Sequence, residues 1–176
     1  MKSEEYPDHF VYSPKAIEFV TVAVETCLFF EKSMEFERDE FVDKCINILA
    51  LLYFRTSILE IPERSYEDDL ERFVSEEDYN YIKNLVESLL GEKDSYLDTF
   101  HPDMDYSDTP IAAFVSENIA DIYQELKDLA ANYQLGEVEI MNDAVAICLE
   151  SFGEHWGQKL LNALRALHSI KYSLKG

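Results

Sequence analysis

The sequence predicts an all-α protein, a single-domain bundle of about six helices. The chain has 176 residues, of which 47% are hydrophobic, and this is enough for one domain with a sizeable core. Its five glycines and five prolines are too few for the many tight turns of a sandwich or barrel. Apolar residues instead recur at helical spacing in the long segments. We therefore expect an N-terminal tail over residues 1–12 and one helical domain over 13–174.

The first two predicted helices form a central hairpin. Ser13 places a capping hydroxyl before Pro14, which fits the first turn of a helix, so helix one begins there and runs to about Lys32. Helix two spans roughly residues 39–59. Both helices are apolar around most of their circumference, which favours a position at the centre of the bundle.

Helices three and four follow an acidic connection. This connection is either irregular throughout or has one helical turn near residues 70–73. Ser75 opens a sequence typical of a capping box, and Gly91 ends helix three after Leu90. We expect an irregular acidic loop over residues 92–108. Helix four then begins at 108–110 and continues to about Leu135.

The last helical region begins near Glu137 and reaches the end of the domain. Its apolar positions keep the same phase before and after Gly153 and Gly157. The sequence is therefore compatible with one long helix kinked near Gly153 or with two nearly collinear helices.

The charge of the chain is strongly negative, with a formal net charge of -21. Residues 151–176 are the exception, because one acid, Glu154, stands against four basic residues: Lys159, Arg165, Lys171 and Lys175. A negative field repels nucleic-acid phosphates and anionic lipids. We expect no direct nucleic-acid or membrane binding, and either a basic protein partner or a surface that only keeps the domain in solution. The oligomeric state is monomer or homodimer.

Cysteine usage and the start of the chain predict a cytoplasmic protein. Three cysteines, Cys27, Cys45 and Cys148, lie in apolar helical segments without the spacing of a metal or redox motif. We expect all three to be unpaired, as in a reducing compartment. The first residues are acidic and do not resemble a signal peptide, and the longest apolar run is too short to cross a bilayer.

The sequence predicts no cofactor, no metal site and no catalytic residues. Alternating oxygen ligands suggest a calcium loop: Asp103, Asp105, Ser107 and Thr109. That loop needs glycine at its sixth position and glutamate at its twelfth, where this chain has Asp108 and Phe114. A loosely bound cation is an alternative to a solvated loop in which Asp108 caps helix four. The histidines also lack the helical Glu-x-x-His pairing of a di-metal bundle.

Two polar groups of residues have both structural and functional interpretations. Glu18 and Glu25 could form a partly buried carboxylate cluster with Arg55, or an ordinary ion pair. In helix four, a row of polar side chains is either a solvated face or half of an interface: Glu117, Asp121, Gln124 and Asp128.

The stretch Gly153-Glu154-His155-Trp156-Gly157 holds the chain's one tryptophan. Helical spacing places Trp156 in the core stripe. We expect the two glycines to let a neighbouring helix approach closely, and His155 to bond a nearby carbonyl or carboxylate. His155 and His168 are too far apart on one straight helix to bind one metal.

A functional alternative is a groove where His155 and Arg165 face the acidic helices and hold a small anion or the acidic segment of a partner protein. The resulting candidate cluster, for binding or for packing, has six members: His155, Trp156, Arg165, His168, Asp121 and Gln124.

Three blocks of sequence in this order resemble an uncharacterised all-helical bacterial family, the domain of unknown function 5063. They begin with "SEEDYNYIKNLVESLLGEKDSYLDTF", continue with "DMDYSDTPIAAFVSENIADIYQELKDL" and end with "HWGQKLLNALRALH". The resemblance implies a helical cytosolic domain and supplies no activity. Our functional hypothesis is a non-enzymatic interaction or adaptor module for a basic protein partner. The alternative is a ligand-binding or hydrolytic bundle that uses the region of His155 and Arg165.

Overall fold

The computed structural model describes residues 9–98, 103, 105 and 109–173, and these are largely helical. The mainly helical fold is thus confirmed. The helices are α1 (Pro14–Glu31), α2 (Arg38–Ser57), α3 (Glu76–Leu90), α4 (Val115–Gln134), α5 (Val138–Ser151) and α6 (Gly157–Tyr172). Single 3₁₀ turns lie at Phe10–Tyr12, Ser33–Glu35 and Gly91–Asp94, and two strands are β1 (Ser95–Asp98) and β2 (Ile111–Phe114).

Local capping fixes the starts of α1 and α3 where the sequence predicts them. The Ser13 side chain accepts a hydrogen bond from the Ala16 N–H at 3.3 Å. At α3, the Ser75 hydroxyl accepts from the Asp78 N–H at 3.0 Å, and the Asp78 carboxylate accepts from the Ser75 N–H at 3.1 Å. These bonds satisfy backbone donors that the first helical turn leaves free. After α3, Gly91 has a φ of 55°, a conformation that favours glycine.

A two-stranded antiparallel sheet replaces the predicted start of helix four. β1 pairs with β2 in a register that joins Ser95 to Phe114 and Asp98 to Ile111. The predicted helix start at 108–110 is therefore wrong, and so is the irregular structure predicted for 95–98. The predicted cap, Asp108, lies outside the described residues. Buried Asp94 fixes the start of α4 instead, because its carboxylate accepts the N–H and the hydroxyl of Ser116 at 2.7 and 2.6 Å.

Helix α4 is the centre of the fold, because it packs against α1, α3, α5 and α6. α1 and α2 also pack against each other, and α2 packs against α6. The largest buried side chains of the core include Phe19, Phe30, Phe41, Ile119, Leu126 and Trp156. The 3₁₀ turn at 10–12 joins this core through buried Val11.

The chain is helical without interruption from Val138 to Tyr172. Between α5 and α6, residues Phe152–Trp156 form a single π turn. A π turn inserts one extra residue into a helix and is a common feature of functional regions. Of the two alternatives that the sequence leaves open, the structure has the continuous helix.

The three cysteines are buried and unpaired, as predicted. Burial raises the pKa of the Cys27 thiol to about 12, and it raises the pKa values of Cys45 and Cys148 as well. Thiols with raised pKa values are inert toward oxidants and electrophiles. Among the described helices, none combines the length and the apolar character that a membrane span requires.

Candidate functional site

The π turn positions Trp156 at the centre of the candidate cluster. The indole is buried, with 1% exposure, and its Nε1–H donates to the Cys148 carbonyl at 2.9 Å. The rings of Trp156 and Phe152 meet edge-on, with centroids 4.7 Å apart, and Phe152 also contacts Tyr53 of α2. A buried indole needs an acceptor for its N–H, and here the same helix supplies it. Trp156 is thus part of the core, as its helical spacing predicts.

Gly157 closes the π turn, and this role differs from the predicted one. Its N–H donates to the Phe152 carbonyl, and a Cβ at position 157 would lie 2.5 Å from that oxygen. Gly153 is exposed, and a Cβ there would meet no atom within 4 Å. The prediction that both glycines let a neighbouring helix approach is therefore wrong. Gly157 is needed because the turn brings Phe152 of the same helix against it.

His155 lies on the outside of the π turn, where its imidazole is exposed. The Glu154 carboxylate lies 3.7 Å from its Nε2, which is too long for a hydrogen bond. The predicted hydrogen bond of His155 is thus not formed with any described residue. The imidazole instead lines a cleft of about 140 Å³ together with residues of α4 and the start of α6: Asp121, Gln124, Glu125, Trp156 and Lys159.

The six residues of the candidate cluster do not lie together in the structure. Four of its six members line the cleft just described: Asp121, Gln124, His155 and Trp156. Arg165 lines a different cleft beside β1, and the His168 ring packs against Tyr172 with centroids 4.6 Å apart. The predicted groove that joins His155 and Arg165 is therefore wrong. Ten residues of helix separate the two positions by about 15 Å along the axis.

Two further residues line this cleft that the candidate cluster does not include, Glu125 and Lys159, and Glu125 is the carboxyl of the two. It is half-buried on α4. Burial raises the pKa of its carboxyl, although a hydrogen bond from Ser151 and the charge of Arg72 act in the opposite direction. Carboxyls with raised pKa values in clefts are candidates for functional sites. Helical spacing could have found it, because Glu125 lies four residues after Asp121 and three before Asp128.

The polar row of α4 is half of an interface within the chain. Asp121 accepts a hydrogen bond from the Tyr79 hydroxyl of α3 at 2.7 Å, and the Glu117 carboxylate lies 3.8 Å from Lys83. Asp128 accepts two backbone N–H groups from the segment before α3, from Phe73 at 2.7 Å and Val74 at 3.0 Å. The row therefore holds other elements in place.

Of the two alternatives for Glu18, Glu25 and Arg55, the structure has the ordinary ion pair between α1 and α2. Arg55 donates to Glu18, with Nη1 and Oε2 2.7 Å apart. Glu25 is exposed and pairs with no cation in the described part of the chain. Because only Glu18 pairs with Arg55, the structure favours the structural interpretation over a perturbed carboxylate pair.

Buried polar side chains hold the irregular segment between α2 and α3. Residues 59–75 contain no helical turn. Of the two alternatives for this connection, the structure thus has the irregular one, without a helical turn near 70–73. The fully buried Asp143 carboxylate of α5 accepts the N–H groups of Ser65 and Tyr66 at 2.6 and 2.9 Å. Beside it, Asn142 donates to the Glu63 carbonyl at 2.7 Å. On α4, Asn132 donates to the Glu71 carbonyl at 3.0 Å.

The charge state of Asp143 follows from these contacts. Burial acts to raise the pKa of its carboxyl, but the two N–H groups and the Asn142 amide donate hydrogen bonds to it and together lower the pKa below its ordinary value. Such bonds favour the charged form. Asp143 is thus a buried carboxylate satisfied by the backbone of the segment.

The outer surface of this region is acidic. We call residues 60–78 the acidic segment, because they hold nine acids and two arginines, and all nine acids are exposed: Glu60, Glu63, Glu67, Asp68, Asp69, Glu71, Glu76, Glu77 and Asp78. None of them forms an ion pair within the described part of the chain. Large apolar side chains are exposed between them, namely Ile61, Tyr66 and Phe73.

No group of three or more potential metal ligands lies close enough to bind an ion among the residues that the structure describes. Of the calcium-like loop, the structure describes Asp103, Asp105 and Thr109, and Ser107 lies outside it.

Fold and surface together define a small helical domain with a fixed acidic segment and with clefts at His155 and at Arg165. The model of the family described as Domain of unknown function (DUF5063) matches residues 10–173, and the chain belongs to this family. It is also similar to a crystal structure of protein BF1032 from Bacteroides fragilis, with a TM-score of 0.83 and 42% identity over 94% of this chain and 98% of that one. No curated protein matches the chain.

Proposed function

We propose that this protein is a non-enzymatic interaction module that binds a basic protein partner through the acidic segment. One observation carries the proposal: nine exposed carboxylates without ion-pair partners lie on a segment whose backbone is fixed to the core. Long irregular segments in compact domains are commonly functional. A fixed segment also loses little conformational entropy when it binds.

The exposed aromatic side chains support a protein as the partner. Tyr66 is 52% exposed and Phe73 is 40% exposed, and both lie among the carboxylates. Aromatic residues supply much of the binding energy in protein interfaces, and they attract lysine and arginine side chains through cation–π contacts. A partner with exposed Lys and Arg residues complements both features, whereas nucleic acid would be repelled.

The proposal includes a cytoplasmic location, which the three buried, unpaired cysteines support. It also retains the choice between monomer and homodimer, because neither the acidic segment nor its contacts require a second copy.

The test compares two variants with the same change in charge. The first neutralises Glu67, Asp68 and Asp69 of the acidic segment with Gln, Asn and Asn. The control neutralises three exposed acids elsewhere, Glu25, Glu35 and Glu37, with Gln. Proteins captured from the native cell are identified by mass spectrometry, and cross-linking shows which surface they contact. Binding of the purified partner is then measured at low and high salt.

We expect the acidic-segment variant to bind roughly tenfold more weakly at low salt, and the control to stay within about twofold of the parent. Tyr66→Ala should also weaken binding without loss of stability, because Asp143 holds the backbone of this residue and its side chain is exposed. Cross-links that avoid residues 60–78, or equal losses in both charge variants, would show that the acidic segment is not the binding surface.

A further inference from the structure

A second cleft lies between β1 and α6, on the part of the surface that contains Arg165. Its volume is about 410 Å³, which is within the range of small-molecule sites. It shares no lining residue with the cleft at His155. The residues that define it are Lys93, Tyr96, Leu97, Asn162, Arg165 and Ser169.

The cleft carries positive charge in a chain whose net charge is -21. Lys93 and Arg165 are both exposed, and neither forms an ion pair within the described part of the chain. Glu92 is the carboxylate among the described lining residues. Helix α6 contains three basic residues and no acid. Two cations are thus available to an anion in this cleft.

Tyr96 adds a fixed hydrogen-bond donor. Its phenol oxygen accepts a hydrogen bond from the buried amide of Asn118 at 2.5 Å. Because the Asn118 amide donates to this oxygen, the phenol can donate its own proton to a ligand. Burial raises the pKa of Tyr96, so the hydroxyl keeps its proton at neutral pH.

The rest of the lining is suited to an apolar group. Leu97 is 68% exposed, and Ala166 and Ile170 of α6 complete an apolar wall. Arginine, lysine and a neutral phenol together match the acceptors of an oxyanion, and arginine can bind two of its oxygens at once.

We propose that this cleft binds a small molecule that carries a terminal oxyanion, phosphate or carboxylate, next to an apolar group. The cations bind the oxyanion, the Tyr96 hydroxyl donates to it, and Leu97 and Ile170 contact the apolar part. The site is independent of the proposed interaction through the acidic segment, so either can fail without the other.

The test titrates the full-length protein with three probes of similar shape: phenyl phosphate, benzoate and neutral benzyl alcohol. Amide shifts in NMR spectra report the location, and calorimetry reports the affinity. Arg165→Gln removes the guanidinium from an exposed helical position, and Tyr96→Phe removes the phenol. Lys32→Gln, at an exposed lysine outside the cleft, is the control for the loss of one positive charge.

We expect phenyl phosphate or benzoate to shift the amides of Tyr96, Asn162 and Ser169, and the stronger of the two identifies the oxyanion. Arg165→Gln should weaken that probe by about tenfold or more, Tyr96→Phe by a smaller factor, and Lys32→Gln by less than about twofold. The proposal is overturned if neither anion binds better than benzyl alcohol. Equal weakening by Arg165→Gln and Lys32→Gln would also overturn it, because binding would then follow only the net charge.

Discussion

The acidic segment and the cleft beside β1 present opposite charges, and the fold supports them by different means. The acidic segment is mostly irregular, and polar side chains of α4 and α5, some of them buried, hold its backbone. The cleft is lined by β1 and α6, so its shape depends on the direction of α6 after the π turn. One surface thus depends on a few hydrogen bonds and the other on helix geometry. We therefore expect different mutations to disrupt the acidic segment and the cleft beside β1.

Asp143→Ala should cause the largest loss of stability, and it tests how the acidic segment is held to the core. The substitution removes a buried acceptor and leaves the N–H groups of Ser65 and Tyr66 without a partner. Hydrogen bonds to charged groups contribute about 1.5–3 kcal/mol each, so the free energy of unfolding should fall by about 3 kcal/mol or more. Urea denaturation measures this loss, and hydrogen exchange should show faster exchange at Ser65 and Tyr66.

Asp143→Asn is the control, because it keeps the shape and one acceptor oxygen. It should lose about half as much stability. If Asp143→Ala unfolds at the same urea concentration as the parent and the two amides stay protected, Asp143 does not anchor the segment.

Gly157→Ala should cause an intermediate loss of stability, and it tests the π turn that sets the direction of α6. The new Cβ would lie 2.5 Å from the Phe152 carbonyl oxygen, so the π turn must shift at a cost of about 1–3 kcal/mol. Gly153→Ala is the control, because a Cβ there meets no atom within 4 Å, and it should stabilise the helix by up to about 1 kcal/mol. Thermal unfolding measures both changes. Equal melting temperatures for the two variants would show that the turn does not need Gly157.

The same contrast explains which parts of the fold the sequence predicts. Ser13 and Ser75 cap the helices that follow them directly, and such local signals locate α1 and α3. The start of α4 could not be found locally, because its cap is Asp94 and strand β2 pairs with distant β1. The irregular path of residues 59–75 likewise depends on Asp143 and Asp128, which lie far away in sequence.

The candidate site follows the same division. Helical spacing, which is local, predicts part of it, and contacts between distant residues decide the rest. Helical spacing placed Trp156 in the core and put Asp121 and Gln124 on one face of α4. The predicted groove between His155 and Arg165 is absent because about 15 Å of helix separates the two positions, and Arg165 instead lines the cleft beside β1, whose place in the fold no local pattern reveals. The close contact of Gly157 with Phe152 depends on the π turn, and the glycine pattern alone does not distinguish that turn from close helix packing.

Glu125→Gln should have the smallest effect, and it complements Asp143→Asn because the pKa of Glu125 is raised and the pKa of Asp143 is lowered. Burial holds the folded pKa of Glu125 above its unfolded value. Its stabilising contribution is therefore complete below the unfolded pKa and is lost as the pH rises through the raised folded pKa. The glutamine variant should then be more stable than the parent at neutral pH, by about 0.5 kcal/mol, and the difference should shrink below about pH 4.

Asp143 should give the opposite dependence on pH, because its folded pKa lies below the unfolded value. Its contribution is present above the unfolded pKa, and it is lost as the pH falls through the lowered folded pKa. Compared with the parent, Asp143→Asn should thus lose less stability between neutral and acidic pH, whereas Glu125→Gln should lose more. Urea denaturation over a series of pH values measures both differences. Parallel pH profiles for the two variants would mean that neither carboxyl is perturbed by its surroundings, and that the anchored segment does not depend on the charge of Asp143.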